Sequence, residues 1–219
     1  MATRITLIRH GRTAWNANGR WQGHACVPLD DEGQRQAALL AQHLVKTGEQ
    51  VTALYCSDLA RARQTAQIIG QRLGVAIQAD LRLREIDMGE WQGLTRAEIM
   101  AWDAERFQVV MQDPQNNRRP SGECGFDVAR RLHMAVTEYA TTYPNGHVLV
   151  VSHGSAIYNL LHYLSLVDDY HGPLGNTAIS RLIHDSSSPV TPWSLSAFNV
   201  VDHLDGGQRE AIANAPSDT

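Results

Sequence analysis

The sequence predicts an α/β fold with a mainly parallel central sheet flanked by helices. Short apolar runs such as 5–8 and 148–151 are bounded by polar residues, as in strands that are buried on both faces. These runs alternate with segments of helical periodicity. Alternation of this kind is typical of a parallel sheet covered by its crossover helices.

The first half of the chain alternates strand and helix twice. Residues 5–8 predict the first strand, and a helix over about 31–46 follows with Asp30 as its N-cap. Residues 53–56 predict a second strand, which we expect beside the first. Ser57 is the expected N-cap of a helix whose packing stripe is Leu59, Ala62, Ala66, Ile69 and Leu73.

The second half begins with an irregular stretch, LREIDMGEWQG, and a helical region that ends before two prolines, Pro114 and Pro120. The last part of the chain predicts further strands that close the sheet. The elements expected here are helices over 96–111, 126–139 and 156–166, and strands over 148–151, 179–183 and 195–200.

Composition limits the function classes. The chain has 219 residues and a formal net charge of −4, so it offers no general cationic surface for nucleic acid or an anionic membrane. The only lysine is Lys46, at the end of an ordinary amphipathic helix, which disfavours lysine nucleophiles and phosphate-loop lysines. Three cysteines without metal-type spacing favour a reducing compartment, so we expect a cytoplasmic protein.

Two apolar runs end in the same way, as ITLIRHG and as VLVVSHG. Ligands of parallel sheets bind outside the carboxyl ends of the strands, so Arg9, His10 and His153 are expected at one edge. Gly11 and Gly154 would let a ligand approach the backbone there. One histidine at a strand end more often only caps a carbonyl, but the repeated His-Gly pair favours a binding site.

Arginines add to this edge. Arg61 and Arg63 lie at the start of a predicted helix, where a phosphate would be held by backbone donors and guanidinium groups together. The alternative is that both are surface residues paired with Asp58. Arginine and histidine without a metal-binding set suggest phosphoryl transfer through a covalent route, with neutral imidazole as nucleophile and neither metal nor cofactor.

The leaving alcohol needs a proton donor. Glu85, Asp87 and Glu90 lie in the irregular stretch, and a bound phosphate favours proton uptake by a nearby carboxylate. Spacing alone does not choose among the three.

Several segments together resemble the histidine phosphatase superfamily, also called the phosphoglycerate mutase superfamily. LIRHGRTAWN resembles its phosphohistidine signature, and SDLARARQTA, LREIDMGEWQG, PSGEC and VVSHG follow in the family's order. The resemblance covers nearly the whole chain. It implies a phosphoglycerate mutase-like three-layer sandwich and a phosphomonoester hydrolase that acts on a small phosphorylated metabolite through a phosphohistidine.

The resemblance also implies residue roles. His10 would be the nucleophile, and Glu85 the proton donor, because the acid-phosphatase branch carries its acid directly after the second histidine, where this chain has Gly154. The remaining implied residues bind the substrate. These are Arg9 and Arg61 on the phosphoryl group, with His153 and Gly154 completing that pocket and Asn16, Gln22 and Gly23 bordering it.

Some positions depart from the family pattern or carry no assigned role. Cys124 stands where the family has serine, and Asp30 replaces a threonine that also caps a helix. Arg118 and Arg119 have no assigned role. Three tryptophans lie near the motifs, and we expect them to pack in the core rather than line the pocket. They are Trp15, Trp21 and Trp91.

Three alternatives remain. Cys124 and Arg130 have the spacing of a cysteine-dependent phosphatase loop, but Glu123 precedes the cysteine and a helical stripe follows it. A cofactor-dependent phosphoglycerate mutase would use the same histidine, although the chain is short of the long insertion that such mutases carry. A non-catalytic phosphate-binding module is disfavoured because every proposed catalytic residue type is present.

The expected organisation is one domain over 1–205, with a helical lid-like insertion around 95–122 and a polar tail at 206–219. No run approaches the roughly 20 apolar residues of a membrane span. We therefore expect a small phosphomonoester as the partner, without nucleic acid or membrane. The sequence leaves a homodimer open.

Overall fold

The computed structural model describes residues 2–168, 172–188 and 190–204, which form a six-stranded mixed sheet in the order β3-β2-β4-β1-β5-β6. The first four strands in that order are parallel to one another, and β5 pairs antiparallel with both β1 and β6. The predicted mainly parallel sheet is therefore confirmed. The strands are β1 Ala2–Arg9, β2 Ala53–Cys56, β3 Ile77–Ala79, β4 His147–Ser152, β5 Ile179–Asp185 and β6 Trp193–Val200.

Helices cover both faces of this sheet. Two single-turn 3₁₀ helices lie here: Leu81–Leu83 ends at the first residue of the stretch predicted as irregular, and Gly89–Trp91 lies within it. In the described part of the chain no helix is long and apolar enough to cross a membrane. The α-helices are α1 Ala14–Ala17, α2 Asp31–Lys46, α3 Ala60–Leu73, α4 Arg96–Gln112, α5 Gly125–Thr142 and α6 Gly154–Tyr163.

The alternation of β1 side chains produces the three layers. Ile5 and Leu7 are fully buried in a core cluster that contains residues of α5 and α6. Ile8 points to the other face and packs with residues of α2 and α3. Because successive side chains of a strand face opposite sides, a continuous apolar run fits a strand covered by helices on both faces.

One predicted strand pairing is wrong. The second strand does not pair with the first, because β4 lies between them and forms parallel ladders with both. Every residue of β4 is buried, as expected for the central position. The expected edge is nevertheless formed, because the register places Arg9 opposite Ser152, and Cys56 opposite Val151.

Local signals predicted most elements but not all of their ends. Ser57 is not the N-cap of α3, which begins after Leu59, and the Ser57 hydroxyl accepts the Leu59 N–H at 3.3 Å. Helix α6 begins at Gly154, two residues earlier than predicted. The four-residue α1 and the three-residue β3 are too short for a periodic signal and were missed. The predicted tail at 206–219 lies outside the described residues.

Gly11 contacts the first turn of α2. A Cβ added to Gly11 would lie 2.4 Å from the Gly33 carbonyl oxygen, and one added to Gly33 would lie 2.0 Å from that of Arg12. The Gly11 N–H donates to Thr65 Oγ1 at 3.1 Å. The expectation that Gly11 admits a ligand is therefore wrong, because this glycine allows two backbone segments to touch.

Replacing Gly33 by alanine tests this packing. Helix propensity alone would stabilise the protein by about 1 kcal/mol. The clash with the Arg12 backbone should instead lower the free energy of unfolding by about 1–3 kcal/mol, measured by urea denaturation. Ala38→Gly on the exposed side of α2 is the control and should cost about 0.5–1 kcal/mol. A stabilised Gly33→Ala variant would show that the two segments separate freely.

Candidate active site

A cavity of about 510 Å³ lies at the carboxyl edge of the sheet. Its wall combines residues that follow β1 and β4 with residues of the loops before α2, α4 and α5. The lining residues are Arg9, His10, Trp15, Asn16, Gly19, Arg20, Trp21, Gln22, Gly23, Arg61, Glu85, Met88, Met111, Pro114, Gln115, Arg119, Gly154, Ser155, Tyr158, Asn159, His162, Pro173 and Leu174.

His10 directly follows β1 and is 2 % exposed. Its Nδ1 lies 2.7 Å from the Gly11 carbonyl oxygen, which can only accept, so this nitrogen carries the proton. Arg61 Nε donates to Nε2 at 3.2 Å, so Nε2 holds a lone pair. Burial, with the charges of Arg61 and Arg9, holds the pKa of His10 well below its ordinary value. The geometry therefore presents a neutral imidazole with its nucleophilic nitrogen beside an arginine.

His153 occupies the N-cap position of α6 and is fully buried. Its ring meets that of His10 edge-on, with 5.1 Å between the centroids. Among the described residues neither of its ring nitrogens has a hydrogen-bond partner. Burial, followed by the charge of Arg61, holds the pKa of His153 well below its usual range. A phosphoryl oxygen would supply the missing partner.

Two arginines give the pocket its positive charge. Arg61 is fully buried, and its two terminal nitrogens donate to the carbonyl oxygens of Ala25 at 3.0 Å and Gly23 at 2.8 Å. Burial lowers the pKa of Arg61 to about 10, which still leaves it charged at neutral pH. Arg9 donates to the Leu174 carbonyl oxygen and packs against Gly154, where a Cβ would lie 3.3 Å from Arg9 Nε.

Glu85 brings a carboxylate to this cationic wall. Its Oε1 accepts the N–H groups of Ile86 and Ala156, both at 2.9 Å, and its Oε2 accepts that of Ser155 at 3.3 Å. Two of these donors belong to the first turn of α6. Arg131 donates to the Glu85 carbonyl oxygen at 2.8 Å, which fixes the loop.

The other two candidate acids lie elsewhere. Asp87 accepts the Gly89 N–H at 2.9 Å, and Glu90 pairs with Arg106 at 3.2 Å. Neither of them lines the cavity. Of the three carboxylates that sequence reasoning left open, Glu85 alone is in reach of a bound phosphoester.

The order of these side chains along the chain matches a known family. Residues 5–194 fit the model of the histidine phosphatase superfamily (branch 1). This chain belongs to that superfamily. The expected membership and the expected fold are thereby confirmed.

Named relatives include both mutases and phosphatases. A probable phosphoglycerate mutase GpmB of Cronobacter sakazakii is 36 % identical, over 92 % of this chain and 94 % of the relative. The mycobacterial glucosyl-3-phosphoglycerate phosphatase complexed with VO3 has a TM-score of 0.81 at 32 % identity, covering 90 % of this chain and 99 % of that one. A phosphoserine phosphatase mutant of Entamoeba histolytica in complex with phosphoserine has a TM-score of 0.79 at 26 % identity, covering 93 % and 100 %.

The fold gathers the predicted site residues around one cavity: His153 is not among the lining residues, but its ring contacts that of His10, which is. The predicted binding residues Asn16, Gln22, Gly23 and Gly154 line the same cavity as Arg9, His10, Arg61 and Glu85. Gln22 is 8 % exposed, and its Oε1 has no hydrogen-bond partner in the described ranges. The roles assigned to these residues stay predictions.

The competing arrangements do not form. Arg61 is not a surface residue, Arg63 is exposed, and Asp58 pairs with Arg84 at 2.5 Å. Cys124 is the N-cap residue of α5, where its thiol donates to Asp127 at 3.1 Å, and Arg130 lies exposed on that helix. No cysteine-dependent phosphatase loop is therefore built around Cys124.

The tryptophans divide between core and cavity. Trp91 is fully buried in the core, and its Nε1 donates to Asp103 at 2.8 Å. Trp21 is buried and also lines the cavity. Trp15 is half-buried and lines the cavity, so core packing is the wrong expectation for this residue.

Sequence reasoning assigned no role to several other cavity residues. Arg119 is buried in the cavity wall, while its neighbour Arg118 is exposed. Gln115, Tyr158 and Asn159 line the part of the wall formed by α6 and the loop before α5. The only signal was the Arg-Arg-Pro sequence, which does not tell which arginine faces inward.

The buried imidazoles should resist protonation. In protein labelled with [¹³C]histidine, the signals of His10 and His153 should stay at their neutral positions from pH 7.5 to pH 5.5, with assignment by the His10→Gln and His153→Gln variants. The unfolded state takes up these protons near pH 6.5 and the folded state does not, so the free energy of unfolding should fall as the pH drops below about 6.5. Titration of either signal near pH 6.5 would contradict the buried neutral pair.

Proposed function

We propose that this protein hydrolyses phosphomonoesters of small metabolites through a covalent phosphohistidine at His10. The proposal rests on His10 Nε2, which holds a lone pair 3.2 Å from Arg61 Nε. Both residues line a cavity that Glu85 also lines. A neutral imidazole between fixed cations suits attack on a phosphate dianion. The three free thiols fit a reducing, cytoplasmic setting.

The first step forms the phosphoenzyme. Arg9, Arg61 and His153 bind the phosphoryl oxygens, and His10 Nε2 attacks phosphorus. The N–P bond forms as the bond between phosphorus and the ester oxygen breaks. Protonated Glu85 gives its proton to that oxygen, and the alcohol leaves. The arginines stabilise the transition state, where charge spreads over the phosphoryl oxygens.

The second step releases phosphate. Glu85, now a carboxylate, takes a proton from water, and the water oxygen attacks phosphorus. The N–P bond breaks, and its electron pair returns to His10 Nε2. The enzyme regains a protonated Glu85 and a neutral His10. No step in this sequence requires a metal ion or a cofactor.

A phosphoglycerate mutase is the second candidate, because the 36 % identical relative carries that name. Both reactions share the first step and differ in the acceptor of the second, which is water in one and a phosphoglycerate hydroxyl in the other. We prefer water because the similar solved structures cited above carry phosphatase names. Comparing phosphate release with phosphoryl transfer to phosphoglycerate separates the two.

The phosphoenzyme can be trapped directly. Rapid quenching with ³²P-labelled substrate should give acid-labile, base-stable label on His10, with the same yield in excess chelator because the mechanism uses no metal. His10→Ala should lose the label and at least about 10⁴-fold in kcat. His43→Ala, outside the cavity, should behave as wild type. Ordinary turnover by His10→Ala, or strict dependence on Mg²⁺, would refute the mechanism.

Glu85→Gln tests the proton donor. A poor leaving group needs protonation, so alkyl phosphates should slow by about 10²- to 10⁴-fold. An activated aryl phosphate should still form the phosphoenzyme quickly in a pre-steady-state burst. Because the variant lacks the base for the second step, this intermediate should accumulate.

Asp87→Asn and Glu90→Gln are the matched controls, because both carboxylates lie outside the cavity. They should keep wild-type kinetics with both substrates. Wild-type behaviour of Glu85→Gln would remove Glu85 from the mechanism.

A further inference from the structure

Arg119 is a buried cation in the wall of the active-site cavity. It is 8 % exposed, and one terminal nitrogen lies 3.4 Å from each of the carbonyl oxygens of Pro114 and Glu123. Its Nε has no hydrogen-bond partner in the part of the chain that the structure describes. Within the same residues no carboxylate lies within 4.0 Å of its nitrogens.

Other arginines nearby are paired. Arg118 is exposed and donates to Asp127 at 2.7 Å, and Arg131 pairs with Glu123 at 2.8 Å. Burial lowers the pKa of Arg119 to about 10, so it stays charged at neutral pH. A buried charge without an ion pair is costly unless a ligand supplies the counter-ion. An oxyanion in the cavity would supply that counter-ion.

The position of Arg119 indicates which part of a substrate it meets. Glu85, Arg61 and Arg119 all line the same cavity. Arg61 Nε donates to His10, whereas Arg119 belongs to the loop before α5, where its guanidinium lies 3.4 Å from the Pro114 carbonyl oxygen. If Glu85 protonates the ester oxygen, the group attached to that oxygen extends along the wall that holds Arg119.

We propose that Arg119 binds a second oxyanion, a carboxylate or another phosphoryl group, on the leaving alcohol of the substrate. The inference rests on the proposed hydrolysis and narrows its substrate class. Arg119 is a specificity residue in this assignment, and the planar guanidinium suits two-point binding of an oxyanion. Phosphoesters that lack the second anion lose this contact.

Matched substrates test the proposal. Phosphoserine and phosphoethanolamine differ only by the carboxylate, and propane-1,3-diyl bisphosphate and 3-hydroxypropyl phosphate differ by the second phosphoryl group. In wild type, kcat/KM should be about 10- to 100-fold higher for the anionic member of at least one pair. The pair that shows the preference identifies the oxyanion.

Variants assign the preference to a residue. In Arg119→Met the kcat/KM values of the two paired substrates should become equal. Arg119→Lys should keep part of the preference for the anionic substrate, because a charge remains without the planar fork. Arg118→Met, whose arginine lies outside the cavity, should keep the wild-type ratio. A ratio that survives Arg119→Met, or a wild type without any preference, would overturn the proposal.

One measurement needs no variant. Wild-type hydrolysis of an aryl phosphate should be inhibited at least tenfold more tightly by 3-phosphonopropionate or 4-phosphonobutyrate than by propylphosphonate, if the second anion is a carboxylate. If the second anion is a phosphoryl group, propane-1,3-diyl bisphosphonate should be the inhibitor that binds at least tenfold more tightly than propylphosphonate. Equal inhibition by all of them counts against Arg119 as a binding residue. Absence of aryl-phosphate hydrolysis would instead contradict the proposed hydrolysis, so the two failures are distinguishable.

Discussion

The site depends on the parallel ladder between β1 and β4. Their register sets Arg9 opposite Ser152, so the residues that follow, His10 and His153, leave the sheet side by side. The His10 N–H donates to the Ser152 carbonyl oxygen at 3.0 Å, which extends the ladder to the proposed nucleophile. A slip of one residue would turn one imidazole to the opposite face, so strand register and catalytic geometry are the same constraint.

The positive charge of the pocket persists because the terminal nitrogens of Arg61 donate to neutral backbone carbonyl groups. Arg61 donates to the carbonyl oxygens of Ala25 and Gly23, which hold the guanidinium in place without neutralising its charge. The charge therefore acts on His10 and His153, and with burial it keeps both imidazoles neutral. The same arrangement that keeps His10 neutral, as the proposed attack on phosphorus requires, leaves a field that favours a phosphate dianion.

Sequence patterns predicted the layers and the sheet edge at which the cavity lies, but not the details set by tertiary contacts. Apolar runs give buried strands, yet the order of β1, β4 and β2 depends on crossovers that no local pattern encodes. Arg61 and Arg63 have the same local signal, and only the helix face decides that the first is buried and the second exposed. Arg118 and Arg119 are adjacent, so which one enters the cavity depends on how their loop packs.

Helix α6 connects His153 with the Glu85 carboxylate. His153 is its N-cap residue, and its first turn supplies two of the N–H donors to the Glu85 carboxylate. These donors hold the carboxylate in one position at the N-terminus of the helix. In the proposed reaction, the leaving oxygen and the attacking water would therefore meet the same carboxylate in the same fixed position.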